Sequence, residues 1–254
     1  MTPRQPPGSL VRALSGYLRL YHRHAITIDA PVDDRAAMIV CNHGFGGVVD
    51  LNVMALISTL HSLDLRRPVT FLVHEIAWTV KAGRLIEAVG GRPGSERALL
   101  EAFDAGHHVA VFPGGDVDAS KAWSDRNTVR FSGRSGFARY AMAHDVPVLP
   151  IVTAGAGESL LVLSDGQRLA GRLGLPKRLR VKALPLSISI PWGLNVGVSG
   201  MLPYLPLPTK LSTAVLPAMY AAADESPAVF ASRVEQTMQD RLDQLVTDRI
   251  PLVG

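Results

Sequence analysis

The feature that most constrains the fold of this 254-residue chain is an alternation of short apolar runs with longer helical stretches. The runs are AAMIVCNH (36–43), PVTFLVHE (68–75), HHVAVFPGGD (107–116) and VPVLPIVTAGAGE (146–158), and each leads into a polar or glycine-rich loop. Between them lie stretches of helical pattern: residues 50–62, AWTVKAGRLIEAVG (77–90), GSERALLEAFDAG (94–106) and GRSGFARYAMAHD (133–145). Strands alternating with helices of about 10 to 15 residues imply βαβ units. The expected fold is therefore an α/β domain with a mostly parallel or mixed sheet flanked by helices. In such sheets function gathers at the carboxyl ends of the strands. His43, the Gly114-Gly115-Asp116 turn and Thr153-Ala154-Gly155 all follow strand ends and should share one rim.

Outside this body, SLVRALSGYLRLYHR (9–23) places Leu10, Leu14, Tyr17, Leu18 and Tyr21 at helical spacing, with Arg12, Arg19 and Arg23 among the polar positions. Such a basic amphipathic helix packs on its own domain or lies on a membrane. SPAVFASRVEQTMQDRLDQLVTDR (226–249) reads as a closing amphipathic helix. The expected organisation is an N-terminal helix and lead-in over 1–34, followed by one domain over 35–254. Residues 183–209 carry no charge but contain five prolines and three glycines. Prolines at that density break a spanning helix, so the stretch reads as strand and loop, partly buried and partly lipid-facing.

Composition narrows the function classes. Apolar residues make up 47% of the chain, enough for a sizeable core. The single cysteine, Cys41, excludes an intramolecular disulfide framework and fits a reducing compartment. A formal charge of +4 without a long basic run argues against nucleic acid and is compatible with an anionic membrane or a phosphorylated substrate. No secretory leader is read in MTPRQPPGSL. The expected location is cytoplasmic, peripherally associated with the inner face of the membrane.

CNHGFGGVVDLNVMAL (41–56) holds the chemistry. Three readings compete: a catalytic His43–Asp50 pair, a phosphate-cradling glycine loop, and a loop with a helix cap. Histidine titrates near neutrality and suits a general base. A carboxylate fixing its tautomer improves it. Asp50 stands directly before an apolar helix and suits an N-cap equally well, and one carboxylate can serve both ends. A dinucleotide fingerprint, and with it an NAD(P)-dependent oxidoreductase, is disfavoured. Although Glu75 ends the next strand, Val49 stands where the third small residue belongs. No G-x-S-x-G elbow is present. Cys41 reads as a small core residue, and His107 and His108 lack cysteine partners at metal-ligand spacing.

These residues resemble the lysophospholipid (glycerolipid) acyltransferase superfamily, the 1-acylglycerol-3-phosphate acyltransferase-like proteins, and within it the monoacylglycerol and diacylglycerol acyltransferase-like branch. Four blocks stand in family order: Asn42-His43-Gly44 through Asp50; VGGRPGSERALLEAFDAGHHVAVF (89–112) with Arg92; Phe112-Pro113-Gly114-Gly115; and GRSGFARYAMAHDVPVLPIV (133–152). The resemblance covers roughly residues 35–160. It implies transfer of a fatty acyl group from a thioester, acyl-CoA or an acyl carrier protein, to a lipid hydroxyl. The implied catalytic residues are His43 and Asp50, with no metal or cofactor. Gly44, Arg92, Phe112, Pro113, Gly114, Gly115, Asp116 and Arg134 are the expected substrate-binding residues. Amides of Gly44 or Gly114-Gly115 are candidate oxyanion donors. Lys121, Arg126 and Arg130 join Arg92 and Arg134 as candidate phosphate ligands. A non-catalytic lipid-binding protein of the same fold is the alternative.

Two departures stand out. The family pattern puts four residues between His and Asp, whereas six separate His43 from Asp50, with Gly46-Gly47 as the extra pair. The third block commonly reads Phe-Pro-Glu-Gly. Here Gly114 replaces the glutamate, and the branch's later acid falls near Asp116 or Asp118.

Overall fold

The computed structural model describes residues 6–45, 49–73, 87, 90–174, 184–197 and 203–254, without the side chain of Asp116. Helix α1 (Gly8–Tyr21) and strand β1 (Ala25–Ile28) lead in. The α/β run follows: β2 (Met38–Cys41), α2 (Leu51–Ser62), β3 (Val69–Val73), β4 (Gly91–Pro93), α3 (Glu96–Asp104), β5 (His108–Val111), α4 (Gly115–Ala119), α5 (Gly136–Ala143) and β6 (Val148–Ala154). Next come β7 (Leu161–Ser164), α6 (Gln167–Arg172), β8 (Leu186–Ser189), β9 (Gly193–Val196), β10 (Ser212–Val215) and α7 (Pro227–Val246). The helix expected over 77–90 lies outside the described residues, apart from Glu87 and Gly90, as do Gly46-Gly47 and Glu75.

Among the described residues the main sheet has seven strands in the order β1-β10-β6-β2-β5-β3-β4. All neighbours are parallel except β10 against β6, so the sheet is mixed and mostly parallel, as the alternation predicts. The lead-in contributes more than a helix, because β1 joins this sheet beside β10.

Side-chain alternation splits the core into two layers. Met38 and Val40 of β2 face a cluster with Phe103, Phe137, Phe230 and Met238, drawn from α3, α5 and α7. Ile39 and Cys41, the intervening residues, face Leu56 and Leu60 of α2. Helices therefore cover both faces, and β6 is buried along its whole length, as a strand in a doubly covered sheet should be.

Helix α1 packs on α2. Leu18 is buried against Leu51 and Ala55, with Leu14 and Tyr17 beside them. Its apolar stripe is thus spent inside the protein, and only Leu10 and Leu20 are left well exposed. A second, three-stranded antiparallel sheet is built from β7, β8 and β9. Part of the uncharged stretch 183–209 forms β8 and β9, and among the described residues no helix is long and apolar enough to cross a membrane.

Candidate active site

The parallel strands β2, β5 and β6 end at one rim, where the polypeptide turns into the His43 loop, the Pro113-Gly114 turn and the Gly155 loop. Helix α2 starts at this rim, and Asp50 is its N-cap. Asp50 Oδ1 accepts from the amides of Asn52 (3.0 Å) and Val53 (3.1 Å). The other oxygen, Oδ2, lies 3.3 Å from His43 Nδ1. Capping and facing the histidine are thus shared between the two oxygens of one carboxylate.

Both side chains are 13% exposed. His43 Nδ1 is shut off from solvent, and its contact with Asp50 falls short of hydrogen-bond geometry. The imidazole is clamped from its flat side by Phe112, whose ring stacks on it with centroids 4.4 Å apart and planes 27° apart.

The backbone of His43 is held as firmly as its ring. Its N–H donates to Asp118 Oδ2 at 2.8 Å, and its carbonyl accepts from Lys121 Nζ at 2.9 Å. Asp118 and Lys121 pair with each other at 2.7 Å, and both side chains are 1% exposed. The three N–H bonds of Lys121 are filled by Asp118, His43 and the Thr128 carbonyl. Burial pushes the Lys121 ammonium below the ordinary lysine range, and Asp118 opposes that shift.

The loop is further pinned by two asparagines. Asn42 forms a reciprocal pair with Thr153, donating from Nδ2 to its carbonyl (3.0 Å) and accepting its amide at Oδ1 (2.9 Å). Asn52 donates to the Asn42 carbonyl at 2.9 Å and accepts the Gly44 amide at 2.6 Å. Gly44 is required by packing, since a Cβ there would stand 2.5 Å from Gly157 N and 2.6 Å from Ala156 C.

These contacts sort the residues singled out in the sequence. His43, Asp50, Gly44 and Phe112 come together. Pro113 and Gly114 form the adjoining turn, whose two carbonyls accept from Arg134 Nη1, at 2.9 Å for Pro113. Arg134, expected among the phosphate ligands, thus holds this turn through one guanidinium nitrogen. Gly44 N–H is spent on Asn52 and Gly115 N–H on the Phe112 carbonyl (3.1 Å), so neither is a candidate oxyanion donor. The backbone of Asp116 lies in α4, and its side chain is outside the described residues.

Lys121 is likewise corrected: a saturated, buried ammonium holds the His43 loop and cannot reach a substrate phosphate. Arg130 pairs with Asp125 at 2.7 Å, and Arg126 covers the Trp123 ring. Arg92 lies on β4, three strands from β2, which is roughly 14 Å at the usual strand spacing. There it binds Glu101 at 3.0 Å. Asp118 accepts from the His43 backbone, which leaves Asp50 facing the ring. Sequence reasoning gave no role to Asn52. Its only signal is a weak helix former in the first turn of an otherwise apolar helix. Cys41 is buried, and burial pushes its thiol above the ordinary range, consistent with its place as a core residue.

Comparison with known proteins agrees with this architecture. A solved structure, the 1-acyl-sn-glycerophosphate (LPA) acyltransferase PlsC from Thermotoga maritima, superimposes with a TM-score of 0.55 at 14% identity, covering 93% of this chain and 80% of that one. That likeness shows the fold. An uncharacterised protein of Mycobacterium tuberculosis is 28% identical over 229 residues, 85% of this chain and 59% of that protein. A Gallus gallus protein named as a DGAT1/2-independent enzyme synthesizing storage lipids is 26% identical over 200 residues, 78% of this chain and 57% of that protein. The chain thus spans rather more than half the length of these curated relatives. The Acyltransferase family model matches residues 23–154, a span that holds β1 through β6 and His43, Asp50, Phe112, Asp118 and Lys121. This chain belongs to the Acyltransferase family.

Proposed function

We propose that this chain transfers a fatty acyl group from an acyl thioester to a hydroxyl of a glycerolipid or related lipid alcohol, with His43 as general base. The observation that carries the reading is the 3.3 Å approach of Asp50 Oδ2 to His43 Nδ1. That carboxylate is fixed by its capping bonds, so the ring has a rigid partner rather than a mobile one. Such a partner holds the proton on Nδ1 and leaves Nε2 to accept one.

The acceptor hydroxyl gives its proton to His43 Nε2 as its oxygen attacks the thioester carbonyl. A C–O bond forms, the C–S bond breaks, and the thiolate leaves with the proton that His43 returns. Asp50 stabilises the imidazolium between these two transfers. Asp118 and Lys121 act as positioning residues, because they fix both sides of the His43 backbone. A base held to within a few tenths of an ångström is worth more than a loosely placed one. Acyl-CoA is the first donor to test and an acyl carrier protein the second. On this reading the protein works peripherally at the cytoplasmic face of a membrane.

The test is to incubate the purified protein with radiolabelled acyl-CoA or acyl carrier protein and with lysophosphatidate, monoacylglycerol, diacylglycerol or a long-chain alcohol, and to resolve the products. One ester formed per thiol released, with at least one of these acceptors, is the expected result. Lipid binding without ester formation from either donor would replace this reading with that of a non-catalytic lipid-binding protein.

A further inference from the structure

Strands β8 and β9 of the small sheet turn their apolar side chains outward. Along β8, Ser187 and Ser189 point inward and are buried, while Ile188 and Ile190 point outward at 43% and 50% exposure. The register sets Leu194 of β9 opposite Ile188, and Val196 opposite Leu186, on the same outer side. Leu205 faces Ile190 across an isolated bridge. Leu194, Val196 and Leu205 are all more than half exposed. An antiparallel sheet that meets water on one side normally turns its apolar residues to the core. Here the sequence LSISI does the reverse.

The inner face, where Val162 stands opposite Ser187, packs beside the candidate active site. Val162 of β7 packs inward with Phe45, Leu160 and Tyr204. Phe45 follows His43 by two residues, and Tyr204 donates to the Val49 carbonyl at 3.1 Å, next to Asp50. One layer of sheet therefore separates the His43–Asp50 loop from an outward apolar surface. At the β8–β9 turn stands Trp192, 49% exposed, with its indole N–H on the Pro203 carbonyl at 2.7 Å.

Charge adds a direction. None of residues 161–164 and 186–197 is charged. At the far end of the sheet begins α6, whose preceding Gly166 sits so close to Leu184 that a Cβ would stand 3.0 Å from Leu184 Cα. On α6, Arg168 and Arg172 are exposed one helical turn apart, beside exposed Leu169 and Leu173. Arginines bordering an apolar face match the headgroups above an acyl layer.

We infer that the outer face of the β7–β9 sheet is the docking surface for an anionic lipid bilayer, with Arg168 and Arg172 on the headgroups. The choice of a bilayer over another apolar partner rests on the lipid acceptor proposed above. Ile188, Ile190, Trp192, Leu194, Val196 and Leu205 expose on the order of 600 Å², the upper end for a monomer, yet short of the ~800 Å² each partner of a stable dimer buries. The stripe of α1 is spent on α2, so this face, not the N-terminal helix, carries the apolar contact.

The test uses the whole chain and sedimentation with vesicles of phosphatidylcholine alone or mixed with phosphatidylglycerol. The wild type binds the mixed vesicles more tightly, with a salt-resistant remainder. The Ile188→Glu/Leu194→Glu variant loses at least ~10-fold in binding. Its esterification of a water-soluble short-chain acceptor is unchanged, which shows that it is folded. The Arg168→Glu/Arg172→Glu variant loses the preference for anionic vesicles and keeps the remainder. Vesicle binding unaltered in both variants, a wild type indifferent to vesicles, or a dimer that Ile188→Glu/Leu194→Glu dissociates would each overturn the inference. A wild type that docks but forms no ester would overturn the proposed reaction and leave the docking face standing.

Discussion

Asp50 joins two structures through its two carboxylate oxygens: Oδ1 caps helix α2 on the amides of Asn52 and Val53, and Oδ2 stands 3.3 Å from His43 Nδ1. The cap fixes the carboxylate, and the carboxylate faces the ring. Substitutions can separate the two roles because they ask for different chemistry. A cap needs an oxygen acceptor, whereas an orienting acid needs a negative charge.

Asp50→Asn is therefore expected to leave stability within about 0.5 kcal/mol of wild type, since asparagine caps about as well as aspartate. Turnover should fall by at least ~10-fold, because an amide stabilises the imidazolium less well and can impose the wrong tautomer. Chemical denaturation and acyl-transfer rates on the same preparation check both halves. Unchanged turnover would reduce Asp50 to a cap.

The Asp118–Lys121 pair invites a second separation. Asp118→Ala leaves a buried ammonium with two carbonyl partners and no counter-charge, and is expected to cost about 3–5 kcal/mol. Asp118→Leu/Lys121→Met removes both charges and should recover much of that stability. Its turnover should stay low, because the His43 N–H and carbonyl have both lost their anchors. A double variant as active as wild type would show that the pair serves the fold alone.

Two glycines of the site can be told apart from a third outside it. A Cβ at Gly114 would enter the contact distance of Asp118 Cβ and the Arg130 carbonyl, and would stand 2.8 Å from Asp118 Cγ. At Gly44 it would meet the Gly157 amide at 2.5 Å. At Gly136 nothing lies within 4 Å. Alanine at Gly44 or Gly114 should destabilise by about 2 kcal/mol or more through backbone displacement, and alanine at Gly136 by less than ~0.5 kcal/mol. Thermal unfolding of the three variants checks the order.

Acid stability has a legible source outside the site. Burial pushes both His24 and His108 down to about 4. The unfolded chain takes up these protons near 6.5, so stability is fully present above that pH and is lost as pH falls from about 6.5 towards 4. Glu158 adds a second loss lower down. Burial raises its carboxyl, but Arg249, the Leu252 amide and Thr209 outweigh that and hold it below 4.5. Its contribution is present above about 4.5 and disappears as pH falls through the lower folded value. Urea midpoints measured from pH 8 to 4 should be flat above pH 7 and decline below 6.5, and the decline should be smaller in His108→Asn.

The sequence showed the α/β body well because its strands are continuous apolar runs, and those arise from burial on both sheet faces. Elements outside that rule were harder. AITI forms β1 at the sheet edge, where it is mostly exposed and carries no buried pattern. LSTAVL holds β10, where the Thr213 hydroxyl bonds across the sheet to Thr153 at 2.8 Å. In the site, His43, Asp50 and the Pro113-Gly114 turn were readable because they combine motif and strand end. Lys121 was not, since nothing in its neighbours shows that its ammonium turns inward. Asn52 was hidden for the same reason: its two partners, Asn42 and Gly44, are set by the path of the loop.

The central claim is that His43 is the base, and one comparison tests it most directly: steady-state acyl transfer by wild type and by His43→Ala, on protein whose unfolding shows a native fold. The account predicts a loss of at least ~10²-fold in turnover, the usual scale for removing a general base. Turnover within a few-fold of wild type in the folded variant would contradict it.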